Sequence, residues 1–404
     1  MALEYKRATK KRKGEILGLL VGLTEYNRAY AARVLRQRSR EVVLGSGRVG
    51  EVKFTLVEDQ RSRRKKRRRC PRVYGKEILA PLQRVWVICD GICGKRLAPY
   101  LRTIVSTLER VGEMTLDAEV RRKLIRISPA TIDRLLAPAR KRYQLRARSQ
   151  TKPGTLLKHQ IPIRTWSDWN EARPGFVEID LVSHEGGDPR GEFAYTLDAT
   201  DICTGWTETV AVRNRAERWV FAGLKEALAR FPFEIRGIDS DNGSEFINNH
   251  LVRYCTKQKI TFTRSRPYRK NDNCFVEQKN SSVVRRTVGY ARHDTPEELE
   301  LLNELYSQLR LYANYFQPVM KLVEKTRTGS RVTKKYDKAK TPFARVLTSR
   351  DIAKPVKRTL RRDYKELNPV MLGREIDRLL GRLHSVAERK AEAKPCSTLE
   401  YIST

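Results

Sequence analysis

The chain has 404 residues, more than one hydrophobic core usually organises, so its length predicts roughly two to four domains. It carries 83 Lys and Arg residues against 47 Asp and Glu residues, a formal net charge of +36, and the expected partner is therefore a polyanion. Hydrophobic residues make up 40% of the sequence, which excludes a wholly disordered chain. No apolar run approaches the ~18 residues of a membrane span, and seven scattered cysteines favour a reduced, cytoplasmic compartment.

Residues 1–60 predict a first helical unit. An apolar stretch at 16–23 is followed by Thr24, which could cap a second helix running from residue 25 to about residue 36. Two short helices joined by a tight break are typical of a helix-turn-helix DNA-binding unit. A small helical bundle without DNA contact fits the same pattern equally well.

Residues 61–73 form a basic linker. Its charges repel one another and cannot form a core, so we expect a solvated arm that contacts DNA phosphates, with a flexible spacer as the alternative. The cations concerned are Arg63, Arg64, Lys65, Lys66, Arg67, Arg68 and Arg69.

Residues 74–145 predict a second helical DNA-binding unit. Thr115 could cap a helix over 116–125, and Ser128 followed by Pro129 is typical of the start of the next helix. Arg134 and Arg140 on that last helix are candidate DNA contacts, although a basic helix face is more often simply solvated. Residues 146–169, with a Lys-Pro-Gly turn, indicate a linker.

Residues 170–316 change character, because short β-type runs alternate with helical stretches. The pattern predicts an α/β layer around a mixed sheet. Residues 317–360 are predicted to be a small basic DNA-binding unit that could be β-structured. Residues 361–404 are predicted to hold a helix that begins at Asn368 and Pro369, whose apolar stripe suits core packing better than pairing with a partner helix.

Three acids within 170–316 form the candidate reaction centre. Asp180 is flanked by apolar residues in the first predicted strand, Asp241 follows a later predicted strand in an Asp-Asn-Gly turn, and Glu277 lies in the first turn of a helix, with 35 residues between it and Asp241. Carboxylates gathered from two strand ends and a helix can hold hard divalent cations, and two ions about 4 Å apart support in-line phosphoryl transfer. Each acid alone is more often a cap or surface group. The neighbouring acids Glu178 and Asp239 are interpreted as surface acids or helix caps.

The segment 177–280 resembles the catalytic core of the DDE recombinases, the family of retroviral integrases and bacterial insertion-sequence transposases, with its ribonuclease-H-like fold. The matching features are the strand-borne Asp180, the run Asp-Asn-Gly-Ser-Glu-Phe at 241–246 and the helix of Glu277. The resemblance implies that Asp180, Asp241 and Glu277 are catalytic and bind two Mg²⁺ ions, for which Mn²⁺ can substitute. It implies further that water cleaves a DNA strand at a mobile-element end and that the freed 3′-hydroxyl attacks target DNA.

The expected fold class is multidomain α + α/β, with helix-turn-helix-like amino-terminal units, a ribonuclease-H-like mixed-sheet core and a small basic carboxyl-terminal region. The chain lacks the His/His/Cys/Cys zinc domain of retroviral integrases, so the insertion-sequence branch is the better match. The expected partners are double-stranded DNA at element ends and targets and further copies of the chain, in the cytoplasm near the nucleoid. A DNA-binding regulator derived from a transposase and a nuclease that cuts without joining are the alternatives.

Further DNA contacts are expected around the glutamate helix. Basic side chains before it and along it could reach DNA phosphates, and surface solvation is the alternative for each. These candidates are Arg269, Lys270, Lys279 and Arg285.

Overall fold

The structure is a computed structural model of the chain. It describes residues 1–36, 41–47, 50–55, 73–142, 173–241, 243, 245–246, 248–265, 274–328 and 331–393. The chain divides into two compact units, Met1–Val73 and Tyr74–Thr404. No helix in these described ranges is long and apolar enough to cross a membrane.

The first unit contains three helices and a hairpin: α1 (Ala2–Arg7), α2 (Lys10–Thr24), α3 (Arg28–Arg36), β1 (Glu41–Gly47) and β2 (Gly50–Thr55). Ile16 and Leu20 on α2 are buried against α3. The predicted cap at Thr24 is wrong: this residue ends α2, and its hydroxyl donates to the carbonyl of Leu20 at 2.6 Å. The antiparallel hairpin was not predicted for this segment.

Four helices open the second unit: α4 (Lys76–Ile88), α5 (Gly94–Arg110), α6 (Ala118–Arg126) and α7 (Pro129–Arg142). The predicted start of α7 is confirmed, because the Ser128 hydroxyl accepts a hydrogen bond from the N–H of Thr131 at 3.2 Å. The predicted cap at Thr115 is wrong. The chain enters α6 two residues later, where the Asp117 carboxylate accepts from the N–H of Glu119 at 2.8 Å.

A five-stranded mixed sheet follows, built from β3 (Phe176–Ser183), β4 (Tyr195–Asp201), β5 (Thr207–Val212), β6 (Gly237–Ser240) and β7 (Thr261–Arg264). The strand order is β5-β4-β3-β6-β7. The pairs β3–β4 and β4–β5 are antiparallel, while β3–β6 and β6–β7 are parallel. The predicted fold class, helical regions with a ribonuclease-H-like mixed sheet, is confirmed.

The helices of this region are α8 (Glu217–Ala229), α9 (Asn249–Gln258), α10 (Cys274–Lys279), α11 (Arg286–Val288) and α12 (Pro296–Phe316). A π-helical turn, Asn280–Arg285, joins α10 to α11 and makes them one continuous helical segment. A capping box of Thr295 and Glu298 starts α12. Asn314 then fixes this helix to β5 by exchanging hydrogen bonds of 2.8 and 2.9 Å with the backbone of Thr207.

The carboxyl-terminal part contains β8 (Leu322–Thr328), β9 (Arg331–Tyr336), α13 (Pro342–Thr348), α14 (Lys354–Glu366) and α15 (Pro369–Ala393). The start of α15 at Pro369 agrees with the sequence. Its stripe of Ile376, Leu379 and Leu383 packs against Leu302 and Leu305 of α12, so core packing is the use of this stripe.

Helices α4–α7 and the sheet contribute to one hydrophobic cluster. Leu82, Leu101 and Leu108 are fully buried in it together with core residues of β3 and β4. Polar contacts add to this packing: the Arg96 Nε donates to the carbonyl of Pro318 at 2.6 Å, and the Tyr312 hydroxyl donates to the carbonyl of Ile88.

Candidate active site

Two of the predicted acids lie at neighbouring positions of the sheet. The parallel strands β3 and β6 pair with Ile179 opposite Ser240, so the residues that follow, Asp180 and Asp241, are adjacent. Burial raises the pKa of the Asp180 carboxyl to about 8, and the charge of Asp241 is the next cause of the rise. The two carboxylates are therefore close enough to repel each other.

Asp180 is held by two hydrogen bonds. Its Oδ1 accepts from the N–H of Leu181 at 2.8 Å, and its Oδ2 accepts from the Asn280 Nδ2 at 2.6 Å. Asn280 was not singled out from the sequence. The available signal was its position three residues after Glu277, which puts both side chains on one helix face.

Asp241 lies in the turn predicted after β6. Its Oδ1 accepts a hydrogen bond from the N–H of Gly243 at 2.8 Å. A Cβ at residue 243 would lie 2.7 Å from the Glu245 carboxyl carbon and 2.9 Å from this same Asp241 oxygen, so a larger residue there would displace one or both carboxylates. The turn thus fixes the carboxylate at the end of the strand.

Glu277 lies on α10 with an exposed side chain. In the described part of the chain, no three His, Cys, Asp or Glu side chains are close enough together to hold a metal ion. The structure therefore brings Asp180 and Asp241 together. It leaves Glu277 on the adjoining helix, one turn before the asparagine that contacts Asp180.

Three more acids lie on the same face of the sheet, below the helical segment of α10. Asp198 is opposite Asp180 in the antiparallel pair, and Asp239 is opposite Glu178 in the parallel pair. All three are buried. The expectation that Glu178 and Asp239 are surface acids is wrong, because α10 covers this face of the sheet.

Glu178 anchors the start of α10. Its Oε2 accepts a hydrogen bond from the N–H of Val276 at 2.6 Å. Burial raises the pKa of Glu178 well above its usual value, the backbone hydrogen bond from Val276 opposes this rise, and the charge of Asp239 adds to it. The helix-cap interpretation of Glu178 therefore holds, although the capped helix is distant in sequence.

Lys279 is buried beneath α10, away from any surface that DNA could reach. Burial lowers the pKa of its ammonium group to about 8, and the negative charge of Asp198 acts against this lowering. The buried ammonium group of Lys279 therefore offsets part of the negative charge on this face of the sheet.

The other candidate DNA contacts divide into engaged, exposed and undescribed residues. Arg285 donates to the carbonyl of Ser183 at 2.6 Å, and Arg140 pairs with Asp133 at 2.8 Å. Arg134 is exposed on α7. Outside the described residues lie Arg63, Arg64, Lys65, Lys66, Arg67, Arg68, Arg69, Arg269 and Lys270.

Comparison with known proteins agrees with this geometry. Residues 170–270 match the family model of the integrase core domain, a segment that contains Asp180 and Asp241 and ends before Glu277. The chain is also 40% identical over 341 residues to the uncharacterized protein y4rM of Sinorhizobium fredii, covering 84% of this chain and 91% of that protein. The chain belongs to the DDE integrase and transposase family. Members of this integrase-core family are polynucleotidyl transferases.

Solved integrase cores resemble the chain more distantly. The HTLV-2 integrase catalytic core domain, determined in complex with magnesium, is 12% identical with a TM-score of 0.28, covering 36% of this chain and 90% of that one. The catalytic core domain of BIV integrase is 16% identical with a TM-score of 0.28, covering 42% of this chain and 91% of that one.

Proposed function

We propose that this integrase-core protein is a DNA transposase that cleaves DNA at the ends of a mobile element and joins the freed 3′-hydroxyl to target DNA. The observation that carries the proposal is the adjacency of Asp180 and Asp241 on two parallel strands, with the Glu277 helix fastened to Asp180 through Asn280. Two acids on neighbouring positions of adjacent parallel strands, with a third on an adjoining helix, suit metal-dependent phosphoryl transfer.

The donor set fits Mg²⁺, with Mn²⁺ as a substitute. Asp180, Asp241 and Glu277 would hold the two ions, because carboxylate oxygens are the ligands that hard divalent cations prefer. Burial and then repulsion by Asp241 raise the pKa of Asp180, and a bound cation would relieve that repulsion. When bound, the ions would activate the attacking hydroxyl and stabilise the leaving oxygen.

The chain's own residues prepare the site. Asn280 orients the Asp180 carboxylate, and the N–H of Gly243 orients Asp241. Glu178 fixes the first turn of α10, the helix that carries Glu277. In this proposal Glu277 completes the site by a change in its own side-chain conformation, since it already lies on the face of α10 that carries Asn280.

DNA would be held by the regions that flank the core. We assign this role to the helical segments 1–60 and 74–145, the linker 61–73 with its seven cations Arg63–Arg69, and the basic segment 317–360. Arg134, Arg269 and Lys270 would add contacts, and segments 146–169 and 361–404 would connect and brace the core. Holding an element end and a target at once also favours a homo-oligomer on DNA, in the cytoplasm at the nucleoid.

The test is a joining assay on purified full-length protein with Mg²⁺ or Mn²⁺, labelled element ends and a plasmid. Wild type is expected to yield joined products, and Asp241→Asn is expected to abolish them while DNA binding persists. Asp188→Asn, an acid of an exposed loop that pairs with Arg190, is the matched control and should retain activity.

Each other outcome points to one alternative. Joining by Asp241→Asn at the wild-type rate would falsify the assigned role of Asp241. Cleavage without joined product would indicate the nuclease. DNA binding without cleavage, in both metals, would indicate a regulator derived from a transposase.

A further inference from the structure

A cationic stripe runs along the outer face of α14. Lys354, Arg358, Arg361 and Lys365 are all exposed, and their spacing of four, three and four residues puts them on one side of the helix. We propose that this stripe is a docking surface for the phosphate backbone of duplex DNA. The inference rests on the proposed function and goes beyond it by naming the helix face, partly within and partly beyond the basic segment 317–360, that would contact the DNA.

The opposite face of α14 is firmly packed. Leu360 is buried, and the ring of Tyr364 stacks on Phe343 with centroids 4.7 Å apart. The Tyr364 hydroxyl shares a hydrogen bond of 2.7 Å with the Thr107 hydroxyl on α5. The four cations are therefore carried on a fixed platform, which reduces the entropy lost when they bind a partner.

Among the residues that the structure describes, no acid neutralises the charges of the stripe. In the second unit as described, none of the four forms an ion pair. The acids of α14 are Asp363, which pairs with the neighbouring Arg362 at 3.5 Å, and Glu366 at the end of the helix. Like charges one turn apart repel, so the bare stripe is explained best by an external polyanion.

Helix α15 provides the contrast. It also exposes arginines, but each of three is paired with a glutamate: Arg378 with Glu375 at 2.6 Å, Arg382 with Glu304 at 3.5 Å and Arg389 with Glu297 at 3.5 Å. The first pair lies within α15, and the other two join α15 to α12. The four cations of the stripe are in no such pair among the described residues.

Duplex DNA is the partner that the stripe fits. From Lys354 to Lys365 the helix rises about 17 Å, at about 1.5 Å per residue. A duplex carries one phosphate charge per ~1.7 Å of its axis, so the stripe can face several phosphates at once. Contacts from Lys and Arg to phosphates carry no sequence information, so the stripe is expected to bind duplexes of any sequence.

The experiment measures the affinity of the full-length protein for two duplexes of equal length, an element end and an unrelated sequence, over a range of salt. The test variant combines K354Q, R358Q, R361Q and K365Q, and the matched control combines R378Q, R382Q and R389Q on α15. Each lost phosphate contact lowers the slope of log affinity against log salt by about 0.9, so the test variant should lose roughly two to four units on both duplexes. The control should keep the wild-type slope.

Several results would overturn the inference. An unchanged slope in a folded test variant removes the stripe from DNA binding, and a loss confined to the element end indicates base reading instead. If the test variant binds single-stranded RNA more weakly than wild type but binds duplex DNA equally well, the stripe is an RNA-binding surface. If the fourfold variant does not fold, the pairs K354Q/R358Q and R361Q/K365Q should each lower the slope by roughly one to two units. If wild type yields no joined product but the test variant still shows the reduced salt slope, the proposed function is refuted and the assignment of the stripe to DNA binding is kept.

Discussion

Replacing Asn280 with alanine removes the 2.6 Å hydrogen bond from its Nδ2 to Asp180 Oδ2. A hydrogen bond to a charged group contributes about 1.5–3 kcal/mol, and a loss of this size in the reacting state slows the reaction about 10- to 150-fold. Asp180 keeps its backbone hydrogen bond from Leu181, so we expect the lower half of this range. The fold should survive, because Val276 and Val284 still bury the helical segment against the sheet.

The pH profile gives a second measurement on Asn280→Ala. Burial and Asp241 raise the pKa of Asp180 to about 8, and the hydrogen bond from Asn280 opposes that rise. Removing the donor raises the pKa further, so at a given pH a smaller fraction of Asp180 is ionised. The acid limb of the joining rate should therefore move to higher pH.

The assay follows joined product at saturating DNA across a series of pH values and Mg²⁺ concentrations. Ser281→Ala is the control, since this side chain is exposed on the next position of the same π-helical turn. High Mg²⁺ should recover part of the activity of Asn280→Ala, because the defect lies in holding the cation. A wild-type rate and pH profile for Asn280→Ala, or an equal defect in Ser281→Ala, would refute the reasoning.

Three further predictions concern stability. The Lys390 Nζ donates to both Oε atoms of the buried Glu298, at 2.7 and 2.8 Å. Lys390→Met should therefore lower the free energy of unfolding in urea by about 3 kcal/mol. The control Arg389→Met, at an exposed side chain, should lower it by less than about 1 kcal/mol. Burial alone would raise the pKa of Glu298, but hydrogen bonds from His293 and Lys390 hold it well below its usual value. Stability from Glu298 is thus present above the unfolded pKa of about 4.3 and lost as pH falls through the folded value, and a Glu298→Gln variant should show a flatter acid unfolding curve. Glu178→Gln should fold normally, because its amide oxygen still accepts the hydrogen bond from the N–H of Val276; Glu178→Ala leaves that donor unsatisfied and should cost about 1–3 kcal/mol, as measured by thermal unfolding.

Features governed by local sequence were predictable. The β-type runs and the Asp-Asn-Gly turn predicted Asp180 in one strand and Asp241 just after another, and the start of α7 followed from Ser128 and Pro129. The trio's third member was predicted on a helix, and the structure has it there. The parallel pairing of these two strands could not be predicted from the sequence of either strand alone. The general rule that functional residues collect near the carboxyl ends of strands in such layers supplied the expectation.

Features governed by distant packing were not predictable. Alternating acids in a strand indicate a face exposed to solvent. Glu178 and Asp239 are buried because α10, which is distant in sequence, packs over that face. Lys279 was expected to meet DNA because cations on a helix usually face solvent, yet the helix turns it toward the sheet. Arg285 was likewise expected at DNA, and its donor groups meet the carbonyl of Ser183 about a hundred residues earlier in the chain.

The shared hydrophobic cluster of α4–α7 and the sheet has a geometric consequence. Leu101 and Leu108 belong to the same buried cluster as residues of β3 and β4, and Tyr312 bonds to the end of α4. Within the described parts of residues 73–142 and 173–393, these contacts hold α4–α7 in place relative to the acids. A double helix seated on α7 would stand at a set offset from Asp180. In the proposed function, the protein would then set the number of base pairs between the DNA position bound by α7 and the DNA position that is cleaved.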